Sequence, residues 1–213
     1  MRLKKEFTRL THKQRLYELP VPMIGLTGGI ASGKTTVGKA FLARGLPVIN
    51  ADLLVKDVYT LPETLAHISL KYPQAVEKGL INFPLLRQLV FSDPKVKQDI
   101  ESLIYAKLPQ AFMTAYHKLS NPEVVVYDVP LLFEKKMEAL FDLNVLVYAP
   151  RKIQLSRLIL RDGHAEALAE KILDQQMDIE EKRLKAEFVI ENSQTEAELT
   201  EEIEHFLRQC FES

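Results

Sequence analysis

Short apolar runs rich in valine and isoleucine recur along the chain, separated by longer stretches in which apolar residues return every three or four positions. Most of these runs are continuous rather than alternating, which is typical of strands in a parallel sheet covered on both faces. The sequence therefore predicts an α/β sandwich with a parallel sheet of about five strands, placed at 23–29, 46–52, 124–132, 143–149 and 187–193.

The stretch from Asp52 to Glu123 contains no comparable strand, and helical periods dominate it. We expect a helical insertion over about 60–120 that supplies walls for a pocket at the strand ends, where ligands of open α/β sheets bind. Prolines are predicted to mark the starts or breaks of its helices, at Pro62, Pro73, Pro84, Pro94 and Pro109.

Two further helical regions follow. The stretch 151–185 is rich in charge and breaks at Asp162-Gly163. Near the C-terminus, apolar residues at a helical period predict an amphipathic last helix, with its apolar face formed by Leu199, Ile203, Phe206 and Leu207.

A length of 213 residues corresponds to one domain, with room for a small insertion. The composition is 46% hydrophobic and 27% charged, which excludes a wholly disordered or collagen-like chain. The net charge of −1 hides a basic segment, 1–22, which carries +4, and a remainder that carries −5. We expect this basic N-terminal extension to pack or to be disordered rather than to bind nucleic acid, because no aromatic platform accompanies its charges.

Cys210 is the single cysteine, so the chain can form no internal disulfide, and a cytoplasmic location is expected. No secretory signal and no run long enough for a membrane span is present, so we expect no membrane association. An organelle-targeting role for the N-terminal segment stays open, although Glu6 and Glu18 interrupt a composition that is usually poor in acid.

The segment Gly28–Thr35 satisfies G-x-x-x-x-G-K-[ST], between a predicted strand and a predicted helix. Backbone amides of such a loop point at phosphate oxygens, and a helix N-terminus adds a favourable dipole. Lys34 is expected to reach the β- and γ-phosphates of ATP, and the Thr35 hydroxyl is expected to ligate Mg²⁺. The predicted ATP-binding residues of the loop are Gly29, Ile30, Ala31, Ser32, Gly33, Lys34, Thr35 and Thr36.

Two carboxylates follow predicted strands and are candidates for chemistry at the same sheet edge. Asp52 could accept a proton from an attacking hydroxyl, or it could cap the next helix, and position alone leaves these readings even. Asp128 ends an apolar run, where P-loop proteins hold a carboxylate that orients a metal-bound water. Glu134 could bind a ligand or cap a helix.

Arg157 and Arg161 lie four residues apart, on one helical face just before the break at Gly163. A mobile helix carrying them would stabilise the charge on a transferred phosphoryl group, although a solvated face is an equally good reading. No N-K-x-D run is present, which argues against a GTPase and leaves a motor ATPase or a small-molecule kinase.

The chain resembles the dephospho-coenzyme A kinase family from about residue 23 to residue 192. The resemblance rests on five ordered motifs, IGLTGGIASGKTTV, INADLLVKDVY, VVYDVPLLFE, QLSRLILRDG and QQMDIEEKRLKAEFVIEN. It implies a P-loop three-layer sandwich with a helical acceptor-binding insertion and a helical lid at about 151–185, within a kinase domain spanning 23–213. It also implies transfer of the γ-phosphate of ATP to the ribose 3′-hydroxyl of dephospho-coenzyme A.

The resemblance assigns roles to individual residues. Asp52 matches the catalytic base, and Asn50 stands where the family has another aspartate. Lys34 and Arg161 match residues that stabilise phosphate charge, with Arg157 beside them on the lid. Late positions of the family pattern correspond to Gln176, Lys182 and Asn192.

Two departures from the family pattern lie in the helical insertion: an arginine position holds Phe83, and a histidine-proline pair is Tyr105-Ala106. They keep two alternatives open, a kinase acting on nucleosides or nucleoside monophosphates and a homologue that binds ATP without transferring phosphate. The expected partner is a small-molecule acceptor. The oligomeric state is left open by the sequence, with a monomer favoured.

Overall fold

The computed structural model describes residues 1–212, which divide into two compact units. The first, here called the sheet unit, comprises Met1–Asn50 and the residues from Leu119 onward. The second, the helical unit, comprises Ala51–Lys118 and therefore begins at the residue that follows the second strand.

Seven strands are present among the described residues: β1 Met23–Gly28, β2 Val48–Asn50, β3 Val76–Glu77, β4 Leu80–Ile81, β5 Val125–Asp128, β6 Leu143–Tyr148 and β7 Phe188–Glu191. Nine α-helices lie among them, preceded by three short 3₁₀ turns: α1 Lys34–Ala43, α2 Ala51–Thr60, α3 Pro62–Lys71, α4 Phe83–Ser92, α5 Pro94–His117, α6 Arg151–Asp162, α7 Glu166–Leu173, α8 Ile179–Lys185 and α9 Glu196–Cys210.

The sheet unit contains a five-stranded, wholly parallel sheet in the order β2-β5-β1-β6-β7. All six residues of β1 and of β6 are buried, as expected for central strands covered on both faces. The predicted five-stranded α/β fold is confirmed. The phosphate-loop sequence leaves the carboxyl end of β1 at the centre of this sheet, which places it where ligands of open α/β sheets bind.

The helices around the sheet begin and end at identifiable signals. Thr195 and Glu198 form a capping box that starts α9, and Gly163 adopts a left-handed conformation, with φ of 69°, that ends α6. The predicted amphipathic last helix is present, and the ring of Phe206 stacks on Phe41 of α1 at 5.2 Å between ring centroids.

The N-terminal segment packs on the sheet unit. Leu3 is buried in the main core and forms an antiparallel bridge with Phe211. The buried side chain of Arg15 donates from Nε to Oδ2 of Asp142 at 2.6 Å, and Asp142 also accepts from the backbone amide of Met23. One basic side chain of the extension, that of Arg15, is therefore paired with a carboxylate inside the fold.

The helical unit contains α2 to α5 together with a hairpin of two-residue strands, β3 and β4, which the sequence analysis did not predict. Four of the five prolines stand at helix starts as predicted, but Pro109 is inside α5 and the expected boundary there is wrong. The apolar positions Ile100, Ile104, Leu108 and Phe112 continue across it, and their burial outweighs the lost backbone hydrogen bond. Among residues 1–212, no helix is both long and apolar enough to cross a membrane.

Candidate active site

The phosphate loop runs from the end of β1 into the first turn of α1, where its geometry requires glycine. Gly33 has φ of 93°, in the left-handed region that favours glycine. A β-carbon at this position would also collide with the side-chain amide of Asn192. That amide donates from Nδ2 to the backbone carbonyl of Ser32 at 2.7 Å, so Asn192 fixes the carbonyl just before the helix begins.

A second side of the loop is braced by Gln154 and Gln176. Gln176 accepts a hydrogen bond from the backbone amide of Ile30, at 3.1 Å from Oε1. Gln154 of α6 donates to the carbonyl of Ala149 and lies where a side chain on Gly29 would collide with it. Two residues that the family pattern singled out, Gln176 and Asn192, therefore touch the loop in this chain.

Gln154 is a contact that the sequence analysis missed. Its signal was a polar residue on the apolar stripe of a predicted helix, four positions before Leu158, and both residues are buried in α6. The same helix contributes Leu158 to an apolar cluster against which Ile30 and Ala31 of the loop pack. The loop and the start of the predicted lid stretch are thus packed together.

The loop also presents polar groups suited to phosphate and metal. Ser32 is fully buried, and its Oγ has no hydrogen-bond partner within the protein. Thr35 and Thr36, in the first turn of α1, are exposed. A buried orphan hydroxyl and a helix N-terminus fit an oxyanion ligand, which would supply the missing partner.

Lys34 contacts one carboxylate oxygen of the buried residue Asp128, while Asn50 donates from Nδ2 to the other oxygen at 2.7 Å. The three residues come from α1, β5 and β2, and neighbouring parallel strands bring them to one sheet edge. The structure therefore joins the predicted loop lysine to the predicted Asp128 and to Asn50, which occupies the family's first aspartate position.

The segment behind Gln176 is held by a buried ion pair. Lys182 is fully buried, and its Nζ lies 2.7 Å from Oε1 of Glu134. The same oxygen accepts from the backbone amide of Met177 at 3.1 Å. Glu134 thus organises the chain next to Gln176, which is neither of the two roles its sequence position suggested.

The arginines of the lid stretch occupy two different environments. Arg157 is half-buried, and its Nη1 is buried without a hydrogen-bond partner. Arg161 is exposed and forms two hydrogen bonds with its neighbour Asp162, at 2.7 and 2.8 Å. This pairing raises the pKa of Arg161 and lowers that of Asp162, mainly through the side-chain hydrogen bonds. An orphan guanidinium nitrogen on α6 can accept a new anionic partner.

Asp52 is exposed in the first turn of α2 and belongs to the helical unit. Ala51 already begins this helix, so Asp52 lies inside it and does not occupy the N-cap. An acidic residue in a first turn is favoured by the helix dipole, and its exposure leaves the carboxylate accessible to a ligand.

The comparisons with known proteins agree with this arrangement. A sequence model of the dephospho-CoA kinase family matches residues 22–198. Dephospho-CoA kinase from Fusobacterium nucleatum is 33% identical over 190 residues, covering 88% of this chain and 98% of the relative. The enzyme of the same name from Anaeromyxobacter dehalogenans is 38% identical over 177 residues, covering 80% and 83%.

Two solved structures are similar to this chain in fold. The protein TT1252 from Thermus thermophilus superposes with a TM-score of 0.79 at 30% identity, covering 89% of this chain and 97% of that one. Dephospho-CoA kinase from Campylobacter jejuni superposes with a TM-score of 0.61 at 27% identity, covering 88% and 96%. The family match spans the phosphate loop, the lid stretch and the side chains of Gln154, Gln176 and Asn192 that contact the loop. This chain therefore belongs to the dephospho-CoA kinase family of phosphotransferases.

Proposed function

We propose that this chain transfers the γ-phosphoryl group of ATP to the ribose 3′-hydroxyl of dephospho-coenzyme A, giving coenzyme A and ADP. The observation that carries the proposal is the phosphate loop braced by Gln176 and Asn192, two positions that match the family pattern in sequence. A loop held in this way has its amides oriented before the nucleotide arrives, which reduces the cost of organising the transition state.

ATP fits the loop because Ser32 offers a buried hydroxyl without a hydrogen-bond partner and Gly33, with φ of 93°, lets the backbone turn into the start of α1. When bound, ATP supplies the phosphoryl group, and Mg²⁺ neutralises part of its charge. The hydroxyl of Thr35 would hold the metal, and the amides of residues 29–36 would hold the phosphates. Lys34 exchanges its carboxylate partner, Asp128, for phosphate oxygens as the nucleotide binds.

Asp52 acts as the general base that removes the proton from the attacking hydroxyl, and its exposed position on α2 leaves it accessible to the acceptor. Arg161 breaks its hydrogen bonds with Asp162 and then stabilises the charge of the phosphoryl group during transfer. Arg157 adds to this stabilisation through its unpartnered nitrogen. A guanidinium paired only with a neighbouring surface carboxylate can exchange that partner for phosphate, which suits a lid that closes on substrate.

The experiment is an assay of ADP release from Mg-ATP against dephospho-coenzyme A and a panel of nucleosides and nucleoside monophosphates, with the product examined for a 3′-phosphate. Release with dephospho-coenzyme A alone supports the proposal. Release with a nucleoside instead would move the chain to another acceptor class, and no ADP release with any of these acceptors would indicate a homologue that only binds ATP.

We also propose a monomer that works in the cytoplasm. Cys210 is buried, and burial raises the pKa of its thiol to about 12, so the chain's single cysteine is a packed apolar group rather than a redox group. Size-exclusion chromatography with light scattering measures the oligomeric state, and a dimer at micromolar concentration would contradict this part of the proposal.

A further inference from the structure

An ion pair with a fully buried lysine lies behind the phosphate loop, in the sheet unit. Lys182 of α8 has no exposed side-chain surface, and its Nζ lies 2.7 Å from Oε1 of Glu134. The contact is an ion pair without the angles of a hydrogen bond. Such pairs contribute little net stability compared with apolar side chains of the same volume, so the benefit of this one should lie in what it orients.

The carboxylate of Glu134 makes its contacts through a single oxygen. Oε1 lies against Lys182 and also accepts from the backbone amide of Met177 at 3.1 Å. Oε2 is buried and has no hydrogen-bond partner among residues 1–212. Because the cation and the amide meet at the same oxygen, the lysine fixes the atom that holds the backbone at Met177.

Met177 is bonded directly to Gln176, the residue that contacts the loop. Oε1 of Gln176 accepts from the backbone amide of Ile30 at 3.1 Å. The backbone amide of Gln176 donates to the carbonyl of Leu173, at the end of α7, also at 3.1 Å. The backbone of Gln176 is therefore held by α7 on one side and by Glu134 on the other, and its side chain extends to the loop.

The loop has a conformation that its own sequence does not favour. Ala31 has φ of 59°, a left-handed value that is costly for a residue with a β-carbon. Its two neighbours are both held from outside the loop, Ile30 through its amide by Gln176 and Ser32 through its carbonyl by Asn192. A strained residue persists only where its surroundings hold it, so the contact from Gln176 helps to keep the loop in this shape.

The turn that carries Glu134 contacts the loop at a second point. Asp128 ends β5 immediately before this turn, and its carboxylate contacts Lys34. The stretch that begins at the end of β5 is thus connected to the loop twice, directly at its lysine and through Gln176 at Ile30. A shift of Glu134 would be transmitted to the loop.

We propose that Glu134 and Lys182 are a positioning pair for nucleotide binding, which holds the Met177 amide so that Gln176 keeps the phosphate loop in its binding conformation. They are positioning residues rather than catalytic ones, because their connection to the loop runs through Gln176. The inference rests on the proposed function only in that the loop binds ATP, and it does not depend on the acceptor. A loop that is not held in advance has to be ordered by the nucleotide, so loss of the pair should weaken ATP binding.

Two double variants separate the hydrogen bond from the charges. Glu134→Gln with Lys182→Met removes both charges but keeps an oxygen that can accept from the Met177 amide. Glu134→Leu with Lys182→Met removes that oxygen as well, with a side chain of similar size. Neither combination leaves a buried charge without its partner, so both proteins should fold.

The measurement is calorimetry with a non-hydrolysable ATP analogue and Mg²⁺, which needs no acceptor. The variant with Glu134→Leu should bind the analogue about 3- to 10-fold more weakly than wild type, the worth of one hydrogen bond. The variant with Glu134→Gln should stay within about twofold of wild type. Equal affinities of the two variants would overturn the inference, whether both bind as wild type or both bind weakly.

The route through Gln176 is tested by combining substitutions. Gln176→Ala alone should weaken binding of the analogue by a similar factor. Adding Glu134→Leu and Lys182→Met to Gln176→Ala should change the affinity by no more than about twofold, because residues that act through one contact are not additive. Losses that add in full would show that the pair acts elsewhere and would overturn the inference.

Tyr148→Phe is the matched control. The hydroxyl of Tyr148 donates to Glu180 of α8 at 2.6 Å, so this substitution also removes a contact between α8 and the sheet, but not the one at Glu134. It should leave the affinity for the analogue within about twofold of wild type. A loss as large as that of the variant with Glu134→Leu would show that any loosening of α8 weakens binding, and would overturn the inference.

Steady-state kinetics distinguish positioning of the loop from general damage to the fold. In the variant with Glu134→Leu, kcat/KM for ATP should fall by at least the factor found by calorimetry, while the KM for dephospho-coenzyme A should stay within about twofold. An equal rise in both KM values would overturn the inference.

Failure of the proposed function has a different signature. A wild-type chain that binds the analogue but turns over no dephospho-coenzyme A would refute the proposed function, and the comparison of analogue affinities would still support or overturn the positioning pair. A wild-type chain that does not bind the analogue would overturn both.

Discussion

Asn50 donates a hydrogen bond from its Nδ2 to Oδ2 of Asp128 at 2.7 Å, and Lys34 contacts the other oxygen of the same carboxylate. Asp128 is buried, so both of its oxygens need partners. An amide at position 50 supplies a donor where an aspartate would supply a second negative charge. Asn50 therefore helps to fix the carboxylate that holds the loop lysine before ATP binds.

The variant Asn50→Asp should lose stability because it places two carboxylates within hydrogen-bond distance. We expect a loss of about 1–3 kcal/mol in the free energy of unfolding, the cost of leaving a buried acceptor without its donor. Urea unfolding of the wild-type protein and of Asn50→Asp measures this loss, and equal free energies of unfolding would contradict the prediction.

The proposed base gives a prediction on turnover. Asp52→Asn removes the proton acceptor while keeping the size of the side chain, so kcat should fall by about 10²-fold or more. The affinity for ATP, measured by calorimetry, should stay within a few-fold. Asp57→Asn, an exposed substitution on another side of α2, is the control and should retain wild-type turnover. An Asp52→Asn enzyme with near wild-type kcat would remove Asp52 from the mechanism.

The N-terminal segment gives a prediction on stability. The side chains of Arg15 and Asp142 are 5% and 0% exposed, so Arg15→Met leaves a buried carboxylate without its main counter-charge. Breaking such a pair costs about 3–5 kcal/mol. Denaturant unfolding should show this loss for Arg15→Met and little change for Lys13→Met, which alters an exposed residue of the same segment. A loss below 1 kcal/mol would show that the pairing of this segment with Asp142 contributes little to the stability of the fold.

Local patterns were sufficient for much of the fold and part of the site. The five strands follow from continuous apolar runs, and the phosphate loop follows from glycine and lysine at fixed spacing between a strand and a helix. The end of α6 at Gly163 was also predictable, because glycine readily adopts the left-handed conformation found there. In each case the residues that form the pattern and the structure that they predict lie within a few positions of each other in the sequence.

The contacts that were not predicted join residues far apart in sequence. Arg15 and Asp142 are separated by 127 positions, and nothing near either residue indicates the other. The same holds for Lys182 and Glu134, whose pairing depends on how a late helix packs. Pro109 shows the opposite failure, because a strong local signal for a helix break yields to the apolar face of α5.

Asp99 of α5 carries the clearest pH dependence in the helical unit. It accepts from Nε2 of His67 at 2.8 Å and from the hydroxyl of Tyr72 at 2.9 Å, and it also contacts Lys71. The hydrogen bond from His67, followed by that from Lys71, lowers the pKa of Asp99 to about 2. Burial and the hydrogen bond to Asp99 raise the pKa of Tyr72 to about 12.

A carboxyl whose pKa is lower in the folded state stabilises the fold above its unfolded pKa, and this contribution disappears as pH falls through the folded value. Asp99→Asn should therefore lower the free energy of unfolding at pH 7 by about 1–2 kcal/mol, the range set by the depressed pKa. The gap between wild type and variant should narrow as pH falls from 4 toward 2, because Asp99 of the unfolded chain is protonated first and Asp99 of the folded chain takes up its proton only near pH 2. Urea unfolding at pH 7 and at pH 2.5 measures the gap, and a constant difference would show that Asp99 stabilises α3 against α5 through packing rather than charge.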